Sequence, residues 1–156
     1  AKAEVARGVV SLELQAPDRG ALPAFDPGAH VDLHLTNGMV RSYSLVNLPG
    51  DGGRYLIAVN RDRASRGGSA FIHDNVRQGD LLTISPPRNN FPLAEEAPHS
   101  VFIAGGIGIT PIWCMIQRLR AAGRSWELHY SVRSRASAAF LGELEGLLRR
   151  EAARIF

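Results

Sequence analysis

Val101-Phe102-Ile103-Ala104-Gly105-Gly106-Ile107-Gly108-Ile109-Thr110-Pro111 is where the character of the chain changes. Val101–Ala104 is a short continuous apolar run, as expected for a strand buried on both faces. Glycines follow at 105, 106 and 108, and Thr110 is then placed to cap a helix with Pro111 at its first position. Ile112, Met115, Ile116 and Leu119 share one face of that helix, and Gly123 stops it. Glu127–Val132 reads as the next strand. Ser137 opens a second helix with Phe140, Leu144, Leu147 and Leu148 on its inner side. Strand, helix, strand, helix is the beginning of a parallel α/β sheet.

Upstream, as far as residue 96, the text is β-rich. Val9-Val10-Ser11-Leu12-Glu13-Leu14 has strand character, and Pro23, Pro27 and Gly28 then break the chain. Val31, Leu33 and Leu35 alternate with His30, Asp32 and His34, which marks a half-buried strand. Asn37-Gly38 signals a hairpin into Val40–Val46. Gly50-Asp51-Gly52-Gly53 turns into Tyr55–Asn60, and Gly79-Asp80 precedes a strand at Leu81–Ser85. Short strands with turns between them predict a small closed barrel, which removes exposed edges. Pro92 to Pro98 reads as a linker. The expected organisation is therefore a β-barrel over 1–96 and an incomplete α/β domain over 97–156.

Composition narrows the function classes. In 156 residues, 45% hydrophobic and 21% charged content is ordinary for a globular protein with a packed core. A formal charge of +3 is too small to argue for nucleic acid. No run is long enough to span a membrane and no signal-peptide pattern opens the chain, so the expected compartment is the cytoplasm. The single cysteine, Cys114, excludes an internal disulfide and any four-thiolate metal site or cluster. The chain opens at Ala1 with residues that already read as entering a strand. It closes on Arg154-Ile155-Phe156, which reads as the start of another, so it has the look of part of something longer.

Three stretches carry chemistry. In Arg41-Ser42-Tyr43-Ser44, alternation puts Arg41 and Tyr43 on one face and the two serines on the other. Arginine binds phosphate bidentately, a tyrosine ring lies against a flat heterocycle, and a serine hydroxyl reaches a ring nitrogen. The bland alternative is an edge strand with an exposed arginine and a core tyrosine. In Arg63-Ala64-Ser65-Arg66-Gly67-Gly68-Ser69, glycines and successive N–H groups leading into a helix make an anion nest, with Arg66 and Ser69 adding charge and a hydroxyl. The alternative is a solvated basic loop.

The third stretch, from Gly106, reads Gly-x-Gly-x-x-Pro and departs from the Gly-x-Gly-x-x-Gly dinucleotide fingerprint, although a strand precedes it and a helix follows. A tight turn without a ligand is the alternative. Two sets of residues imitate sites. His30, Asp32 and His34 are arranged as any polar outer face would be, without a fourth metal ligand. Cys114, between Trp113 and Met115, reads as a packing residue rather than a nucleophile.

Arg41–Ser44, Ser65–Ser69, Pro87-Arg88-Asn89-Asn90-Phe91-Pro92 and Gly105–Pro111, in this order, resemble the ferredoxin-reductase-type flavoenzymes, and among these the phthalate dioxygenase reductase family with its vanillate demethylase reductases. The resemblance implies a six-stranded Greek-key flavin-binding barrel, an NAD-binding α/β domain and a C-terminal [2Fe–2S] domain. It implies that Arg41 binds the FMN phosphate, with Ser42 part of the same site, that Tyr43 packs against the isoalloxazine, and that Ser44 lies near its N5. Arg66, Gly67, Gly68 and Ser69 match the loop that closes on the phosphate, in the FMN-using rather than the FAD-using form. Gly105, Gly106 and Gly108 match the pyridine-nucleotide loop. Thr110 is placed near flavin and nicotinamide, and Tyr130 and Arg133 lie where relatives contact the nucleotide.

The implied activity is FMN-dependent oxidation of NADH by the reductase component of a two-component aromatic-ring oxygenase or O-demethylase. Its implied partners are NADH or NADPH and a terminal oxygenase, with no nucleic acid or membrane. The sequence departs from the family by stopping about halfway through the nucleotide domain and by lacking the cluster domain's four cysteines. An FMN-binding module that does not turn over is therefore the competing expectation, and a flavin-free interaction domain is a third. The choice between NADH and NADPH stays open, because Arg133 and Arg135 could favour the extra phosphate. The oligomeric state also stays open.

Overall fold

Among the described residues, six strands and one helix occupy the first part of the chain: β1 (Lys2–Ala6), β2 (Val9–Gln15), β3 (His30–His34), β4 (Val40–Ser44), β5 (Arg54–Asn60), α1 (Gly68–Asn75) and β6 (Thr83–Ile84). The computed structural model describes residues 1–51, 53–62, 64 and 66–148. Arg63, Ser65, the side chain of Leu148 and the strand expected at Arg154-Ile155-Phe156 lie outside the described residues.

The strands do not close into the barrel that the sequence predicts. They form two antiparallel three-stranded sheets, in the orders β1-β2-β5 and β4-β3-β6. The sheets are joined on one side, where Leu45 bridges Ile57 and the Val46 N–H donates to the Leu56 carbonyl at 2.8 Å. On the other side the expected Leu81–Ser85 strand is reduced to the two residues of β6, which pair only with β3 among the described residues. Leu81, which a longer paired strand would have covered, is 79% exposed.

Alternation works as expected within each strand. Val31 and Leu33 are fully buried with Leu12, Leu45, Tyr55, Ile57, Val59 and Ile72, while His34 stays exposed. The hairpin is made where Asn37-Gly38 predicts it. Gly38 has φ 82°, and the Leu35 N–H donates to the Met39 carbonyl at 2.8 Å.

The second part holds β7 (His99–Gly105), α2 (Ile109–Ala121), β8 (Ser125–Ser131) and α3 (Leu141–Leu148), with β7 and β8 parallel. Phe102, Ala104, Leu128 and Tyr130 face α2 and share a core with Ile112, Met115, Ile116 and Leu119. The expectation that Val101–Ala104 is buried on both faces fails. Val101 and Ile103 are 56% and 80% exposed, because α2 covers only one face of the pair.

Helix boundaries also move. Gly108 is the N-cap of α2, so Ile109 opens it and Thr110 and Pro111 occupy its second and third positions. Proline is tolerated there because first-turn N–H groups have no intrahelical acceptor. Gly123 does stop the helix. Its φ is 64°, its N–H donates to the Arg120 carbonyl at 3.0 Å, and the Arg124 N–H reaches the Leu119 carbonyl at 2.8 Å. Ser137 does not open α3 but ends a single 3-10 turn, Arg135–Ser137. Phe140, at φ 60°, breaks the path before Leu141 and stacks its ring on Trp113 with centroids 6.1 Å apart. Leu144 is buried and Leu147 packs on the same core.

α2 is bolted to the sheets. Gln117 donates to the Val46 carbonyl at 2.9 Å, and Cys114 to the Asn47 carbonyl at 3.1 Å. Val9, Val46 and Ala58 join the α2 core. The Pro92–Pro98 segment is pinned rather than loose, since Leu93 packs inward and Glu95 pairs with Arg118 at 2.8 Å. No helix among the described residues is long and apolar enough to cross a membrane.

Candidate functional site

The first site is built where β4 meets the start of α1. Gly67 is the N-cap of α1 at φ 88°, a left-handed conformation that favours glycine, and among the described residues no side chain caps the helix through it. The first intrahelical bond is Phe71 N–H to the Gly67 carbonyl, at 2.9 Å, so the amides of the first turn point outward. Arg41 lies across this turn. A Cβ on Gly68 would stand 2.6 Å from the Arg41 Nε and 2.8 Å from its Cγ. A guanidinium beside a helix N-terminus is an anion site. Ser69 sits in the same turn, its Oγ accepting the Asp62 N–H at 3.2 Å. The Arg66 carbonyl lies 3.5 Å from the Arg41 Nη2.

The far end of α1 is held as firmly. The Lys2 ammonium donates to the carbonyls of Ile72, His73 and Val76 at 2.9, 2.7 and 2.9 Å. Burial, with Arg77 nearby, holds its pKa below the usual lysine value.

The neighbouring residues of β4 divide by face. Tyr43 is half-buried against the sheet core, and that burial raises its phenol pKa against the opposing effect of Arg41. Ser44 is half-buried, and its hydroxyl has no hydrogen-bond partner among the described residues. Ser42 is engaged elsewhere, donating to Asp32 at 2.6 Å on the strand's other face. Asp32 also takes the Arg88 guanidinium. The Ser42 hydrogen bond first, and Arg88 after it, hold the Asp32 carboxyl below its ordinary range. No His, Cys, Asp and Glu group among the described residues is arranged to hold a metal.

The second site is the glycine loop. Gly106 has φ 49°, whereas Gly105 and Gly108 have φ −118° and −60° and could accept any residue. A Cβ on any of the three meets no atom within 4 Å. Internal packing therefore does not demand glycine at 105 or 108, and the space above them is open to a ligand. The Thr110 hydroxyl donates to the Ile107 carbonyl at 3.0 Å, which fixes the turn.

Gly106 and Ile107 form one edge of a cleft of about 740 Å³. Asn60, Arg61, Asp62 and Ala64 wall it on the sheet side, and Ser131, Val132, Arg133, Ser137 and Ala139 opposite. Arg133 thus lines the cleft. Tyr130 does not, being buried with its hydroxyl directed to the Ala139 carbonyl at 3.4 Å. Arg135 is paired with Glu145. Cys114 is fully buried, and desolvation pushes its pKa up to about 12, so it is no nucleophile.

Sequence reading missed the sheet-side wall. Arg61 is joined to Asp74 of α1 by two bonds of 2.5 and 2.9 Å, a pairing thirteen residues apart that no local spacing advertises. Asn47 was equally silent. Its amide donates to the Arg54 carbonyl and accepts the Leu56 N–H, stitching the segment after β4 to β5.

No protein-family model matches the chain. It is 55% identical over 141 residues to a tetrachlorobenzoquinone reductase of Sphingobium chlorophenolicum, covering 90% of this chain and 44% of that protein. It is 52% identical over 137 residues to a vanillate O-demethylase oxidoreductase of Pseudomonas sp. (strain HR199 / DSM 7063), covering 88% and 43%. Phthalate dioxygenase reductase, a modular structure for electron transfer from pyridine nucleotides to [2Fe–2S], superposes on all of this chain and 49% of its own, with a TM-score of 0.94 and 41% identity. The chain spans somewhat less than half the length of the relatives it matches.

Proposed function

Since this chain belongs to the family of the phthalate dioxygenase and vanillate demethylase reductases, we propose that it carries the flavin site and part of the pyridine-nucleotide site of an electron-transfer reductase. The observation that carries the reading is Arg41 lying across the first turn of α1, over a glycine that its arm leaves no room to enlarge. That arrangement suits the doubly charged phosphate of FMN. Gly67, Gly68 and Ser69 supply the amides and a hydroxyl, and Arg66 adds charge. Tyr43 offers a ring face to the isoalloxazine and Ser44 a hydroxyl to its N5 edge, with Ser42 as a residue of the strand rather than a direct contact.

When bound, FMN supplies the ability to take two electrons as a hydride and to release them singly. The chain's own residues bind and orient. The open glycine loop and Arg133 suit the pyrophosphate of a pyridine nucleotide, and Thr110 keeps the loop in shape. Tyr130 supports the cleft wall from beneath. The electron acceptor on this reading is the terminal oxygenase of an aromatic-ring oxygenase or O-demethylase system, reached through a [2Fe–2S] centre. Such a centre needs four cysteines and belongs to other sequence of the parent protein.

The test is anaerobic stopped-flow mixing of the FMN-loaded chain with NADH. Fast bleaching of the flavin supports the reductase. Bound flavin that stays oxidised favours the second reading, a flavin-binding module without turnover, which the chain's share of its relatives' length makes specific. Failure to bind flavin overturns both.

A further inference from the structure

The sulfur-bearing side chains of this sequence are Met39, Cys114 and Met115. The fold treats them differently. Cys114 and Met115 are buried side by side in α2. Met39 is half-buried, packed on the core between the two sheets with the rest of its surface open to solvent. An oxidant dissolved in water therefore meets Met39 first.

The hairpin fixes where Met39 stands. Its N–H donates to the Asn37 Oδ1 at 3.2 Å, and its carbonyl accepts the Leu35 N–H at 2.8 Å. Two residues on, Arg41 shares its side of the strand. The Arg41 Nη2 stands 3.5 Å from the Met39 Sδ. A Cβ on Gly67 would lie 3.7 Å from the Met39 Cε and 4.0 Å from the Sδ. The thioether thus reaches both parts of the anion site, the guanidinium and the glycine that opens α1. A thioether is a weak acceptor and leaves Arg41 able to turn toward an anion. A sulfoxide oxygen is a strong acceptor, and a guanidinium holds one by a charge-assisted bond.

We propose that Met39 is a site of reversible oxidation that controls the phosphate end of the flavin site. This rests on the reading of Arg41 and the start of α1 as that site. The oxidant is hydrogen peroxide. The Met39 sulfur attacks one peroxide oxygen, an S–O bond forms as the O–O bond breaks, and the departing hydroxide takes the proton of the transferred oxygen and leaves as water. The sulfur loses two electrons and the peroxide gains them. The new oxygen bonds the Arg41 guanidinium and draws it away from the anion, while the enlarged, polar side chain is forced against Gly67.

The test treats the full chain with hydrogen peroxide, locates the added oxygen by peptide mass spectrometry, and titrates FMN and riboflavin before and after. The oxygen is expected on Met39 and not on Cys114 or Met115. FMN binding weakens about tenfold while riboflavin binding stays the same, and a methionine sulfoxide reductase with a dithiol restores it. Met39→Gln sets an amide oxygen near the place of the sulfoxide oxygen and weakens FMN binding without peroxide. In Met39→Leu, peroxide no longer moves the FMN affinity from its starting value. A Met39 that resists peroxide, an oxidised Met39 with FMN affinity intact, or a loss that persists in Met39→Leu overturns the proposal and leaves the phosphate site standing. An untreated chain that binds FMN no better than riboflavin overturns the phosphate site and the proposal together.

Discussion

Arg41 lies so close over the first turn of α1 that a Cβ on Gly68 would stand 2.6 Å from its Nε. Gly68 is not in the left-handed region, so alanine costs its backbone nothing and favours the helix. Gly68→Ala therefore displaces the flexible arginine rather than the fold. Loss of a charged hydrogen bond, about 1.5–3 kcal/mol, weakens FMN binding roughly tenfold to a hundredfold. Thermal melting of the apo-protein and a flavin titration on the same variant check both halves, the melting temperature staying close to native.

Gly28→Ala has the opposite profile. At φ 97°, a Cβ there would lie 1.9 Å from the Phe91 carbonyl oxygen and 2.8 Å from the Met115 Cε. Backbone strain and overpacking combine at a point where α2 meets the sheets, and a loss above about 3 kcal/mol is expected. Chemical denaturation measures it. A near-native midpoint would mean that the packing around Gly28 is looser than it stands here.

What was legible in the sequence had a local cause. The Asn37-Gly38 hairpin, the Gly123 stop and the alternation around Val31 and Leu33 depend on neighbours along the chain, and all are found where expected. Barrel closure, the burial of Val101 and Ile103 and the true cap of α2 depend on what packs against them from a distance, and these were misread. The site divides in the same way. Arg41 and Gly67–Gly68 come together because a strand and a helix start each carry a strong local signature. Arg61, Asp62 and Asn47 carry none, since their partners Asp74, Ser69 and Arg54 are brought in by the fold.

The Cys114 thiol reports on the docking of α2. Burial raises its pKa from 9.0 to about 12. A folded-state value above the unfolded one contributes stability that is fully present below pH 9 and is lost as pH rises toward 12. The native protein is expected to react with a thiol reagent at pH 8 far more slowly than the denatured chain. Equal rates would show that the helix opens readily.

Lys2 tests whether α1 is held from its far end. Lys2→Met removes three hydrogen bonds to the last carbonyls of the helix, a loss of about 1–2 kcal/mol after allowing for partial exposure. The melting temperature of the variant should fall, and FMN affinity with it. Native flavin affinity in a clearly destabilised variant would show that the phosphate turn is shaped independently of the helix end.

The central claim is that Arg41 and the start of α1 form a phosphate site for FMN. Titrating the native chain with FMN, FAD and riboflavin, and following the quenching of flavin fluorescence, tests it most directly. The account predicts that FMN binds at least tenfold more tightly than riboflavin, which lacks the phosphate, and more tightly than FAD, whose phosphate is extended by an adenosine. Equal affinity for FMN and riboflavin, or no binding of any flavin, would contradict it.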